Sequence, residues 1–195
     1  MTVKLLAFAG STRAGSLNQA LLDLAVQAAR DRGATVTAIR LKDFALPNFD
    51  GDLETTDFPA AARALKALFC SHHGFLIASP EYNGSVSGVL KNAIDWVSRP
   101  TDGETIIELK AFRGKVAGLV GASMSPFGGL RGVTHMRQIL GAVQTLVATE
   151  QVLLPLAHSA FDENWALREA LPGQLLDGLA ARVIEMAQKL QPPVA

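Results

Sequence analysis

The chain has 195 residues, 49% of them hydrophobic, and its 18 basic and 18 acidic side chains cancel. That is the length of one domain, spanning 1–195, with apolar material enough for a large core that needs no disulfide or metal staple. The charge balance argues against a nucleic-acid partner and against recruitment to an anionic membrane, and the single cysteine, Cys70, excludes an intramolecular disulfide and a multi-cysteine zinc site.

The opening MTVKLLAFAGSTR lacks a basic leader and a full-length apolar stretch, so it reads as a first strand over 3–9 rather than a signal peptide. No apolar run reaches the roughly 20 residues that cross a bilayer, and a cytoplasmic protein is expected. A Gly/Ser-rich turn follows, then a helix marked by Leu17, Leu21, Leu24 and Ala28 and ended by Gly33. TVTAIRL (35–41) alternates and suits a sheet edge. Leu65, Leu68, Phe69 and His72 mark the second helix, and HGFLIAS (73–79) the next strand. A third helix entered near Ser85 carries Val86, Val89, Leu90, Ala93, Ile94 and Val97 as an apolar stripe. KVAGLVGAS (115–123) and VATEQVLL (147–154) are strands, with a helix through Val133, Met136, Leu140 and Val143 between them. Leu175, Leu179, Val183, Met186 and Leu190 close the chain as a last helix after Pro172-Gly173.

Strand and helix thus alternate five times, the pattern of a doubly wound α/β domain: a three-layer sandwich on a five-stranded parallel sheet in the flavodoxin-like order 2-1-3-4-5. Segments 43–59 and 99–114 stand outside the pattern and are expected to be functional or disordered.

In that order, ligands bind where the winding reverses, between the loops after the first and third strands. The first loop, Gly10–Asn18, has the glycine spacing of a P-loop but Ser16-Leu17 where that loop needs Lys and Ser or Thr. A helix N-terminus, neutral donors on Ser11, Thr12, Ser16 and Asn18, and the guanidinium of Arg13 make an anion site. Without the Walker lysine it suits a monophosphate; the Rossmann fingerprint is also missing. The same residues equally describe an ordinary helix start capped by Ser16. In the second loop, Pro80, Asn83 and Gly84 are turn formers that present backbone amides and carbonyls, with Tyr82 able to pack beside a planar heterocycle. Glu81 has no histidine partner at a defining spacing and reads as a solvated turn carboxylate or a helix-start charge.

GSTRAGSLN together with SPEYNGSVSGVLKNAIDW resembles the NAD(P)H-dependent FMN reductases of the flavodoxin-like superfamily, a group that includes quinone, azo-dye and chromate reductases. The resemblance implies that Ser11, Arg13, Ser16, Leu17 and Asn18 surround the FMN phosphate, that Pro80, Glu81, Tyr82, Asn83 and Gly84 lie along the isoalloxazine ring, and that the loop 122–132, with Ser123, closes the third side. The implied reaction is ping-pong: NADPH or NADH reduces bound FMN, which then reduces a quinone, azo compound, free flavin or chromate. No side chain is nominated as catalytic and no metal is expected. The alternatives are a flavodoxin-like electron carrier or a flavin-binding sensor with little turnover. The family implies a homodimer or homotetramer, to which segment 99–114 is expected to contribute.

Cys70, His72 and His73 are read as structural, Lys91 with Asp95 as a surface or interface ion pair, Trp96 as core or interface, and His135 as isolated. No dedicated phosphate-binding cluster for a second nucleotide is apparent, so NADPH is not distinguished from NADH.

Overall fold

Short runs that are apolar at consecutive positions can be satisfied only by strands buried on both faces. Three of them are such strands: β1 (Lys4–Ala9), β3 (Gly74–Ala78) and β4 (Val116–Ala122), buried throughout except Lys4. With β2 (Thr35–Arg40) and β5 (Leu146–Leu154), whose burial is broken, they form one parallel sheet in the order β2-β1-β3-β4-β5. The structure, a computed structural model, describes residues 2–190.

Alternation along each strand divides the core. Leu5, Ala7, Ala9, Leu76 and Ala78 face one layer, formed by α1 (Leu17–Asp31) and the C-terminal helix. Leu6, Phe8, Phe75 and Ile77 face the other, formed by α3 (Ala60–Ser71), α4 (Gly88–Val97) and α5 (Leu130–Ala142). A short α2 (Gly51–Thr56) and one turn of helix, α6 (Ala157–Ala160), precede α3 and the closing α7 (Ala170–Leu190) respectively. Among the described residues no helix is long and apolar enough to cross a membrane.

Both segments outside the alternating pattern are ordered by specific contacts. In 43–59, Asp50 caps α2, and the Pro47 carbonyl accepts from Trp96 Nε1 and Asn92 Nδ2, each at 2.8 Å. Phe49 and Phe58 meet the Trp96 ring edge-on, so Trp96 is a core residue. In 99–114, Ala111 and Phe112 are buried and the Glu104 carboxylate pairs with Lys66. The Lys66 and Glu104 side chains are only 5% and 2% exposed.

Two expectations shift. The third helix starts at Gly88, capped by Ser87, rather than near Ser85, and Val89 of its stripe is exposed. His135 is not isolated, because its Nδ1 lies 2.9 Å from Ser85 Oγ. Others hold: Lys91 pairs with Asp95 at 2.7 Å, and His72 is bound to Thr37 Oγ1 (2.8 Å) and the Leu68 carbonyl (2.6 Å).

Candidate functional site

Three loops converge at the carboxyl edge of β1, β3 and β4, and each is held by contacts that its sequence dictates. The Gly10 N–H donates to the Ala78 carbonyl at 2.9 Å, and Ser87 Oγ donates to the Gly10 carbonyl at 2.6 Å. The same Ser87 oxygen accepts from Leu90 N–H, tying the start of α4 to the end of β1. A Cβ on Gly10 would lie 2.8 Å from Ser87 Oγ and 2.9 Å from Leu90 Cβ, so only glycine permits this approach.

Ser16 has extended backbone angles and accepts from Gln19 N–H at 3.3 Å, as an N-cap does. That leaves the N–H groups of Leu17 and Asn18 without an acceptor among the described residues. They point out of the helix with the positive end of its dipole. Ser11 and Ser16 are buried beside them and Arg13 is exposed over them. Asn18 has a second duty: Nδ2 donates to the Ala122 carbonyl at 2.8 Å and Oδ1 accepts from Ala122 N–H at 2.9 Å. Its carboxamide therefore clamps the first turn of α1 to the end of β4.

The loop after β3 closes as a two-residue hairpin turn. Tyr82 and Ser85 exchange backbone hydrogen bonds of 2.9 and 3.0 Å, and Asn83 (φ 51°) and Gly84 (φ 77°) are both left-handed, the Asn-Gly preference of a type I′ turn. Glu81 corrects its reading as a solvated carboxylate. It is buried against α5, accepting from Arg131 N–H at 3.0 Å and Arg131 Nε at 2.7 Å, and more weakly from Gly132 N–H. Burial pushes its carboxyl up, but the hydrogen bonds from the Arg131 side chain and from the two N–H groups outweigh this and hold it below the usual carboxylate range. It serves as a helix-start charge for α5, a helix 50 residues further along. In the third loop Ser123 N–H donates to the Leu154 carbonyl, and Ser123 Oγ accepts from Ser125 N–H, both at 3.1 Å.

Together the loops enclose an open depression of about 290 Å³. Its wall takes Ser11, Arg13, Ser16, Leu17 and Asn18 from the first, Pro80, Glu81 and Tyr82 from the second, and Ala122, Ser123 and Met124 from the third. Asn83 and Gly84 shape the turn without lining the depression, and Thr12, expected as a donor of the anion site, faces Leu41, Lys42 and Asn92 instead. Sequence reasoning missed Ser87, and within the expected loop 122–132 it singled out Ser123 but not Ala122, Met124 or Arg131. Only Ser87 carried a signal, a serine three residues ahead of an apolar helix position.

A family model described as NADPH-dependent FMN reductase matches residues 3–159. The chain belongs to that family. It is 35% identical over 191 residues to the NAD(P)H-dependent FMN reductase of Pseudomonas aeruginosa, covering 97% of this chain and 92% of that relative. It is 36% identical over 167 residues to the 2-hydroxy-1,4-benzoquinone reductase of a Burkholderia species, covering 84% and 85%. The flavoenzyme NAD(P)H:(acceptor) oxidoreductase FerB from Paracoccus denitrificans superposes with a TM-score of 0.81 at 25% identity, covering 96% of this chain and 98% of that one.

The residues present fit the cofactor in the family's name. Two unpartnered N–H groups, buried hydroxyls and one guanidinium suit a phosphate monoester, and no further cation stands in the wall for a second or third phosphate. The wall from Pro80 to Tyr82 offers backbone and an aromatic edge to a flat ring rather than free charge, since Arg131 neutralises Glu81.

Proposed function

We propose that the protein is an NAD(P)H-dependent FMN reductase that delivers electrons to quinone-class acceptors. The phosphate of FMN would be held by the Leu17 and Asn18 N–H groups, the Ser11 and Ser16 hydroxyls and Arg13, and its ring system by Pro80–Tyr82 with Ser123 at the third side. Bound FMN supplies the redox chemistry, taking a hydride equivalent from NAD(P)H and passing the electrons on.

The chain supplies position and charge. The N-terminus of α1 and Arg13 fix the phosphate end, and the hairpin 82–85 holds Tyr82 half-exposed at the mouth, where a planar acceptor would stack. Glu81, ionised and fully engaged by Arg131, does not donate protons; it fixes the backbone at the ring edge. No side-chain nucleophile or acid–base pair is required. The observation that carries the reading is the meeting, in one depression, of the unpartnered first turn of α1 and the Pro80–Tyr82 backbone. The quinone preference is supported by the relatives' names, and the exposed Ile106 and Ile107 of 99–114 support assembly as a dimer or tetramer.

The test is to purify the protein, saturate it with FMN and add NADPH or NADH without oxygen. Bleaching of the flavin band, followed by re-oxidation on adding benzoquinone, is expected; failure to retain FMN or to bleach refutes the reading.

A further inference from the structure

On the far side of Ser16 from the flavin depression lies a second and larger trough, about 430 Å³. Its floor is one face of α1, running from Ser16 through Gln19 to Asp23 and Leu24, about 12 Å at 1.5 Å per residue. Arg40, at the carboxyl end of β2, forms one wall, and Asn164 and Trp165 the other. The two sites share Ser16, so a molecule bound at the flavin can extend past the phosphate loop into the trough.

Three features mark the trough as built for a ligand. Gln19 is only 6% exposed; its Nε2 donates to Asp23 Oδ1 at 2.7 Å, while its Oε1 is buried with no donor among the described residues. A buried side-chain oxygen left without a donor is rare. Arg40 is exposed and has no acidic or carbonyl partner among the described residues. Trp165 is 47% exposed and sits in left-handed backbone (φ 63°), a rare conformation for a bulky residue. Asp162 fixes it there, its carboxylate accepting from Asn164 N–H at 2.8 Å and Ala166 N–H at 2.9 Å.

A free guanidinium and an exposed indole on opposite walls call for a ligand with an anion and an aromatic plane. We propose that the trough takes the adenosine phosphate end of the nicotinamide dinucleotide, with Arg40 against a ribose phosphate and Trp165 against the purine. This rests on the reading that NAD(P)H is the electron donor. It gives the chain the nucleotide-phosphate site that its sequence does not display, because Arg40 and Trp165 lie 125 positions apart.

The probe is adenosine 2′,5′-bisphosphate, which lacks the nicotinamide and needs no flavin for its readout. It is expected to quench tryptophan emission saturably, with the quench lost in Trp165→Phe, where only the buried Trp96 remains. In Arg40→Ala, affinity for the probe should fall about 10- to 100-fold, as for loss of a charge-assisted contact. The KM for NADPH should rise in parallel, while kcat and retained FMN stay unchanged. The probe should compete with NADPH and not with FMN. No quench at millimolar probe, or displacement of the probe by FMN, overturns the proposal. So does a protein that purifies with FAD and releases the probe on FAD binding, which would assign the trough to the flavin's own adenosine. Quenching in a protein that neither holds FMN nor bleaches would instead sustain the trough and refute the flavin reading.

Discussion

Asn18 is the residue at which a role in holding ligand and a role in holding the fold separate most cleanly. The family motif places it at the flavin phosphate, yet both ends of its carboxamide are occupied by the backbone of Ala122, at 2.8 and 2.9 Å. Asn18→Ala strips partners from a buried N–H and a buried carbonyl at once. Each such group costs about 1–3 kcal/mol when left unpaired. Water reaching Ala122 from the open depression that it lines will recover part of this. The expected loss is therefore about 2–3 kcal/mol, or roughly 5–10 °C in Tm for a chain of this length. The assay is urea unfolding of flavin-free protein followed by circular dichroism. Asn18→Asp keeps the acceptor for Ala122 N–H but sets a carboxylate against the Ala122 carbonyl. That exchange removes the donor to the Ala122 carbonyl, so Asn18→Asp should also be less stable than wild type at pH 7. A flavin-free Asn18→Ala protein within about 0.5 kcal/mol of wild type, with FMN affinity strongly reduced, would refute the clamp and leave Asn18 a ligand-binding residue only.

Arg13 is exposed and has no hydrogen bond or ion pair among the described residues, so Arg13→Ala should leave urea unfolding unchanged while weakening FMN binding about 10- to 100-fold, measured by flavin fluorescence. Gly10→Ala forces its methyl to within 3 Å of Ser87 and Leu90 and should cost about 1–3 kcal/mol while loosening FMN; an unperturbed unfolding midpoint contradicts the close approach. Burial pushes the Glu104 carboxyl up, but hydrogen bonds from Lys66 and from Lys110 N–H outweigh that and hold it below its usual range. Its contribution is complete above the unfolded value near 4.3 and is lost as pH falls through the lower folded value. The stability gap between wild type and Glu104→Gln, read from urea curves, should therefore be constant from pH 7 to 5 and shrink below about 4.5; a gap that holds at pH 3 refutes the pairing.

The sheet order and its two layers were legible because parallel strands buried on both faces leave apolar runs such as 74–78, and each helix leaves a stripe at helical spacing. The depression was legible too, because the fold topology puts the loops after β1 and β3 side by side and both carry turn chemistry. What the sequence hid are pairings across long separations. Glu81 reads as a solvated turn carboxylate until α5 brings Arg131 against it. Segment 99–114 reads as functional or disordered, and nothing in the sequence links Glu104 to Lys66, 38 positions earlier, with which it forms a buried ion pair. Asn83-Gly84 reads as a turn with the helix entered near Ser85, because turn formers alone do not show that the turn is closed by a partner across it. Its paired left-handed residues instead build a hairpin that delays the helix to Gly88.

The contact between the Glu81 carboxylate and the exposed Arg131 side chain also bears on the chemistry. A free carboxylate at the ring edge would disfavour both an incoming hydride equivalent and the negative charge it leaves behind. Here the guanidinium cancels that charge, and the N–H groups that begin α5 take up the remaining acceptor capacity. On the proposed placement of the cofactor the ring edge would be electrostatically quiet, and the unsatisfied positive charge of the site lies at the first turn of α1 and Arg13. Under the proposed function, changes at Glu81 or Arg131 would act on the backbone that frames the ring, and changes at the α1 terminus on cofactor retention.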